Sequence, residues 1–239
     1  MDWNWKLLKY FETGPWFNTE KYAPWIMWIF MAGCVAWLVA YALIFVHARK
    51  AKVMDYPYGG QANAFAWEFW FGLGIVRVTD MGLFFQVLYL LWFVFDCFLV
   101  VMTWKYGDKQ CVTPSSKKAF RAKYIGSFIF WLAVWYPFMM VFDDPVGCFS
   151  GWICNNALSA LFVFQKIQQP GWGRNRLVAI TKFLGTFFCS IVVWTHYSSN
   201  TTLAVLAVTF AIMDLIYIYL VFKGPKVGDP EPEIELAVA

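Results

Sequence analysis

Residues 82–104 read GLFFQVLYLLWFVFDCFLVVMTW, 23 residues whose single charge, Asp96, lies well inside the run. A bilayer core about 30 Å thick is crossed by roughly 20 mostly apolar residues of helix, because every backbone polar group must be satisfied within the segment. The stretch therefore predicts a transmembrane helix carrying a buried acid. Six further stretches have the same character, at 25–46, 62–79, 122–142, 148–166, 177–195 and 202–222, so that spans take up 143 of the 239 residues. Their short connections predict antiparallel neighbours in one bundle. The second span is the weakest, since it holds Glu68, Gly72 and Gly74. Reading it as interfacial leaves six crossings.

Composition agrees. Hydrophobic residues make up 61% of the chain, aromatics 22% and charged residues 14%, against about 45–50% apolar and about 25% charged in soluble domains. So many aromatics with so few charges also exclude disorder. A net charge of +4 is too small to point to nucleic acid, and the expected partner is the lipid bilayer. The fold class expected is all-α: a polytopic seven-helix transmembrane bundle at 25–222, a lumenal or interfacial segment at 1–24 and a disordered cytosolic tail at 223–239.

Lys and Arg mark the cytosolic side. Fourteen gather on one side of the predicted spans, at 49, 50, 52, 105, 109, 117, 118, 121, 123, 166, 174, 176, 223 and 226, against Lys6, Lys9, Lys21 and Arg77 on the other. The amino terminus is thus expected on the lumenal or exterior face and the carboxyl terminus in the cytosol. In a eukaryote the endoplasmic reticulum membrane fits. A six-span arrangement would mix the two sets. Residues 1–24 lack the layout of a cleavable signal peptide, and Trp3, Trp5, Leu7, Leu8 and Phe11 suggest a segment lying on the membrane surface.

Cysteine and histidine define no chemistry here. Cys34, Cys97, Cys154 and Cys189 fall within spans as small apolar residues, while Cys148 and Cys154 are close enough in sequence to pair. His47 and His196 lie at opposite ends of different spans, so no metal set is visible. The sequon at Asn200 sits in a very short loop and is expected to go unused.

The acids carry more information. A carboxylate at mid-bilayer costs roughly 2.5–3.5 kcal/mol on insertion scales, so such groups face the bundle interior and tend to be functional. Glu68 is six residues from the cytosolic start of its span, roughly 9 Å deep; Asp96 and Asp214 are eight residues from the cytosolic ends of theirs, roughly 12 Å. All three share one layer. Helical spacing aligns Asp96 with Tyr89, Trp92 and Phe93, Asp214 with Phe210, Tyr217 and Ile218, and Glu68 with Ala64, Phe65, Phe71 and Gly72. Asn155 and Asn156 add amides near that depth, and Asn63 opens the second span.

Desolvation favours the neutral form of a buried acid, which then serves as a proton donor. Aromatic faces attract cations, and a dry chamber protects a reactive intermediate from water. Those are the requirements of carbocation chemistry on a greasy substrate. Other readings stand beside it. Aromatics also form interface belts, which is the expectation for Trp16, Trp25, Trp104, Trp152 and Trp194. Asn155 and Asn156 serve equally as glue between helices. Lys182 either pairs with a carboxylate or snorkels to the cytosolic face. Intramembrane acids also mark the ion pathways of proton-coupled transporters, although only Pro137 lies well inside a span. A retinal protein would need a Schiff-base Lys in the seventh span, which has none.

Tyr58-Gly59, Asn63 and Trp67-Glu68 with Gly72 opening the second span, Gly151-Trp152 with Asn156 and Ser159, Gly173, Lys182 with Gly185-Thr186, and Asp214 with Tyr217 resemble the small seven-helix integral membrane terpene cyclases of meroterpenoid and indole-diterpene biosynthesis. The resemblance runs from the first span to the seventh. It implies cyclisation of a prenyl chain, commonly epoxidised, on an aromatic or polyketide-derived partner, without metal, cofactor or diphosphate ionisation. The chain indeed has no Asp-rich diphosphate-binding motif. The resemblance also implies Glu68 and Asp214 as the catalytic pair. Asn63, Trp67, Trp92, Phe93, Asp96, Asn156, Phe210 and Tyr217 are the candidate substrate contacts. Glu68→Gln and Asp214→Asn are each expected to abolish product formation and leave protein abundance intact.

Overall fold

The computed structural model describes residues 15–73, 81–111, 113, 115–141, 144 and 147–225, with backbone alone at 139–141. The surface segment read at residues 1–14, the end of the second span at 74–79 and most of the tail lie outside the described residues. Among the described residues there are seven α-helices: α1 (Pro24–Ala51), α2 (Tyr58–Gly72), α3 (Leu83–Tyr106), α4 (Lys117–Val141), α5 (Cys148–Gln168), α6 (Arg176–His196) and α7 (Thr201–Lys223). A short 3-10 helix at Gly107–Gln110 follows α3. Among the described residues α1, α3, α6 and α7 are long and apolar enough to cross a membrane by themselves. The architecture is that of a membrane helical bundle.

Local chemistry sets the helix ends. Pro24 opens α1 at a position where a missing N–H costs nothing, and Arg49 and Lys50 sit in its last turn, against the negative end of the dipole. The side chains of Asn175 and Asn200 cap α6 and α7, accepting from Leu177 N and Leu203 N at 3.1 Å each. Asn200 of the sequon therefore has a structural task. At α3 the chain itself caps the helix: the N–H groups of Leu83 and Phe84 donate to the carbonyls of Pro15 and Trp16. Gly82 precedes them at φ 112°, where an added Cβ would lie 2.5 Å from the Trp16 oxygen.

The second helix begins at Tyr58, four residues before the expected start, because the chain straightens at Pro57 (φ −57°, ψ 126°) and turns helical immediately after it. Hydropathy could not see this first turn, since Tyr58, Gly59, Gly60 and Gln61 are not apolar. All six cysteines are thiols, so Cys148 and Cys154 are not joined.

Helix neighbours form a closed circuit. α1 packs on α6, α6 on α7, α7 on α5, α5 on α2, α2 on α3 and α3 back on α1, while α4 lies outside this ring, mainly against α2. Close approach of α1 and α6 rests on small residues: a Cβ on Gly33 would lie 2.9 Å from the Gly185 carbonyl, and one on Gly185 2.6 Å from Trp37. Outward positions such as Phe98, Ile129, Phe164, Ile212 and Leu215 are apolar and half exposed, as lipid contact requires.

Candidate active site

Inside the ring lies a partly open pocket with a cavity volume of about 60 Å³. All six ring helices contribute to its wall and α4 does not. The wall is largely aromatic: Trp37 from α1, Trp67 from α2, Tyr89 and Trp92 from α3, Trp152 from α5 and Phe210 from α7. Few polar side chains meet it, chiefly Tyr41, Glu68, Asn155 and Thr186. Of its lining residues, Glu68 alone is an acid.

The rings are held by their polar edges. Trp67 Nε1 donates to Ser150 Oγ at 2.8 Å, and Ser150 Oγ donates to Asp144 Oδ2 at 2.7 Å. Asp144 also accepts from the N–H groups of Phe149 and Ser150, at 3.1 and 2.9 Å, in the first turn of α5. Asp144 thus fixes a wall residue at one remove. Trp92 Nε1 donates to the Cys34 carbonyl at 3.1 Å, and its ring stacks on Tyr89 with centroids 4.9 Å apart. Trp152 and Phe210 meet edge to face at 6.0 Å. Sequence reading assigned Trp152 to the interfacial belt, but it is 6% exposed and part of the cavity wall, whereas Trp16 and Trp25 are 61% and 51% exposed. Nearness to a span end set that expectation; the side chain points inward across the ring instead.

Glu68 is buried, and its Oε1 accepts a hydrogen bond from the Tyr41 hydroxyl at 2.8 Å. Its Oε2 has no hydrogen-bond partner among the described residues. Counted from the observed helix ends, Glu68 is ten residues from the start of α2, Asp96 ten from the end of α3 and Asp214 nine from the end of α7, about 14–15 Å. The common layer is therefore present. A common pocket is not, because the three carboxyls point to different places.

Asp214 sits behind the wall. Lys182 Nζ donates to its Oδ1 and, at 2.8 Å, to Ser159 Oγ; Thr186 Oγ1 donates to its Oδ2 at 2.9 Å. Lys182 and Asp214 are each 1% exposed, so the lysine does not snorkel. The ammonium also lies over Phe162 and Trp37, 5.2 and 5.6 Å from the ring centroids. This group reaches the cavity wall through Thr186 and Trp37. Asp96 faces the junction of α2, α3 and α4, where Gln61 Nε2 donates to its Oδ1 at 3.2 Å and Tyr124 donates to Gln61 Oε1.

The remaining candidates divide in the same way. Trp67, Trp92 and Phe210 line the cavity. Asn63 accepts from Trp135 Nε1 of α4 at 2.9 Å, outside the ring. Phe93 stacks on Phe65 at 5.4 Å. Asn156 Nδ2 donates to the carbonyls of Trp152 and Leu206 at 2.9 Å, tying α5 to α7 as interhelical glue. Tyr217 packs on Phe162 at 5.0 Å beneath the Lys182 layer. None of Asn63, Phe93, Asp96, Asn156, Tyr217 or Asp214 belongs to the wall. A helical-wheel stripe identifies a buried face, and in a ring with an extra helix outside it some buried faces look away from the hollow.

The end of the bundle that holds the α1–α2 and α5–α6 connections is cross-braced. The Met54 carbonyl accepts from Gln110 Nε2 and Trp172 Nε1 at 3.0 and 2.9 Å, and Asp55 pairs with His47 at 2.6 Å. Gly173, at φ 60°, brings its backbone against Tyr217, whose hydroxyl would lie 2.8 Å from an added Cβ. Sequence reasoning missed Tyr41, Trp37 and Ser150, and named Thr186 only within the family resemblance, with no role of its own. Tyr41 and Trp37 sit in an unremarkable apolar span, and only their cross-ring neighbours distinguish them. Among the described residues no group of three or more His, Cys, Asp or Glu could hold a metal ion.

The sequence model of the Pyr4-like transmembrane terpene cyclases matches residues 17–224. A Pyr4-family terpene cyclase, mfmH of Annulohypoxylon moriforme, is 24% identical over 173 residues, covering 69% of this chain and 68% of that protein. No solved structure matches the chain.

Proposed function

The chain belongs to the Pyr4-like transmembrane terpene cyclases, and from that premise we propose that it folds a prenyl chain, an epoxidised farnesyl or geranylgeranyl group of a meroterpenoid-type substrate, into the aromatic cavity and cyclises it by protonation. One observation carries this reading: the single acid of a largely aromatic wall is Glu68, with one oxygen held by Tyr41 and the other without a partner among the described residues. Neutral Glu68 donates its proton to the epoxide oxygen, whose C–O bond opens as the O–H bond forms. The π electrons of successive double bonds then close rings, and positive charge moves along the chain. Trp37, Trp67, Tyr89, Trp92 and Phe210 present ring electrons to that charge, an attraction worth about 2 kcal/mol or more where water is excluded. Return of a proton from carbon to the Glu68 carboxylate ends the sequence and regenerates the acid, so product and substrate have equal mass.

Asp214 takes a different part in this scheme. Paired with Lys182 behind the wall, it holds Thr186 and Trp37 in place. The site lies in an endoplasmic reticulum membrane if the source is eukaryotic, with the amino terminus lumenal and the carboxyl terminus cytosolic. The test is product formation in membranes supplied with epoxidised and plain farnesyl and geranylgeranyl conjugates, followed by chromatography. Glu68→Gln is expected to abolish the product at unchanged protein abundance. Full activity in that variant would remove Glu68 from the chemistry.

A further inference from the structure

We propose that Tyr41 is a positioning residue for the reaction: its hydroxyl decides which oxygen of Glu68 carries the proton and stabilises the carboxylate left after transfer. The inference rests on the assignment of Glu68 as the acid. Tyr41 belongs to α1 and Glu68 to α2, and the bond between them joins two helices across the ring at 2.8 Å. Its ring is fixed from two sides, edge to face with Trp37 at 5.7 Å and with Tyr56 at 6.0 Å. Tyr41 is 4% exposed and lines the same cavity. The hydroxyl is therefore in place before substrate arrives.

A neutral carboxylic acid has one carbonyl oxygen and one hydroxyl. In the proposed arrangement Tyr41 donates to Oε1, which is then the carbonyl oxygen, and Oε2 holds the proton. Oε2 is also the oxygen without a partner among the described residues, so its proton is not spent on the wall. As the Oε2–H bond breaks and the new O–H bond forms on the substrate, negative charge spreads over both oxygens. The Tyr41 bond then becomes charge-assisted, and such bonds are roughly twice as strong as neutral ones. A contact that strengthens toward the transition state raises kcat and leaves ground-state binding nearly unchanged.

Tyr41→Phe removes only the hydroxyl. In membranes of matched protein abundance, kcat is expected to fall about ten- to a hundredfold while KM stays within about threefold, and the solvent deuterium isotope effect on kcat is expected to rise as proton transfer becomes limiting. Wild-type kcat, or a loss confined to KM, would overturn the proposal. If Tyr41→Phe fails to accumulate, 3-fluorotyrosine at position 41 replaces it: a changed kcat supports the hydroxyl's role, and an unchanged one overturns it. Glu68→Gln, assayed in parallel, separates the two levels. An active Glu68→Gln refutes the acid itself, whereas an inactive Glu68→Gln beside a fully active Tyr41→Phe refutes this inference alone.

Discussion

Asp214 shows how a single partner changes what a residue means. From sequence it is a costly acid in a membrane helix, and Asp214→Asn looks like a purely catalytic lesion. The structure gives it Lys182, with both groups 1% exposed. Removing one member of a buried pair leaves the other charge uncompensated, at a cost of about 3–5 kcal/mol. Lys182→Met is therefore expected to lower the thermal unfolding midpoint of the detergent-purified protein sharply, and Asp214→Asn to lose abundance as well as activity. The double variant Lys182→Met/Asp214→Asn should recover much of that stability without recovering product. Equal midpoints for Lys182→Met and the parent protein would show that the pair contributes nothing to the fold.

Between helices the informative features are small residues. Gly33 carries no chemistry, yet it lets α1 approach α6 until a Cβ would lie 2.7 Å from Cys189 Sγ and 2.9 Å from the Gly185 carbonyl. Because Gly185 O is backbone, it cannot move aside cheaply. Gly33→Ala is expected to cost about 1–3 kcal/mol by overpacking, read as a lower thermal midpoint, and to disturb Trp37 and Tyr41 on the same helix. An unchanged midpoint would mean that the two helices can separate freely. Helix positions were largely legible in the sequence, because lipid demands long apolar runs whatever the partner helix. The start of α2 was not, since its first turn is polar and glycine-rich and is buried by other helices rather than by lipid.

Across the whole molecule, orientation remains a proposal drawn from charge. The fourteen-to-four division of Lys and Arg places the tail after α7 in the cytosol. A carboxyl-terminal tag is accordingly expected to be digested by protease added to intact microsomes, whereas protection until detergent is added would invert the topology. That orientation places the cross-braced floor built by Met54, Asp55, Gln110 and Trp172 on the cytosolic side, beneath the cavity and its acid layer.

The sequence by itself determined the membrane bundle, the shared layer of Glu68, Asp96 and Asp214, and the aromatic character of their surroundings. Hydropathy and helical rise depend only on residue order. Tertiary structure decided which acid faces the hollow, that Trp152 turns inward and Asn156 serves as glue, and that Tyr41 reaches Glu68 while Lys182 holds Asp214. Each of those facts depends on how one helix is rotated toward another. In a ring of six helices with a seventh outside, several buried faces satisfy the same one-dimensional pattern. Side-chain packing between helices chooses among them.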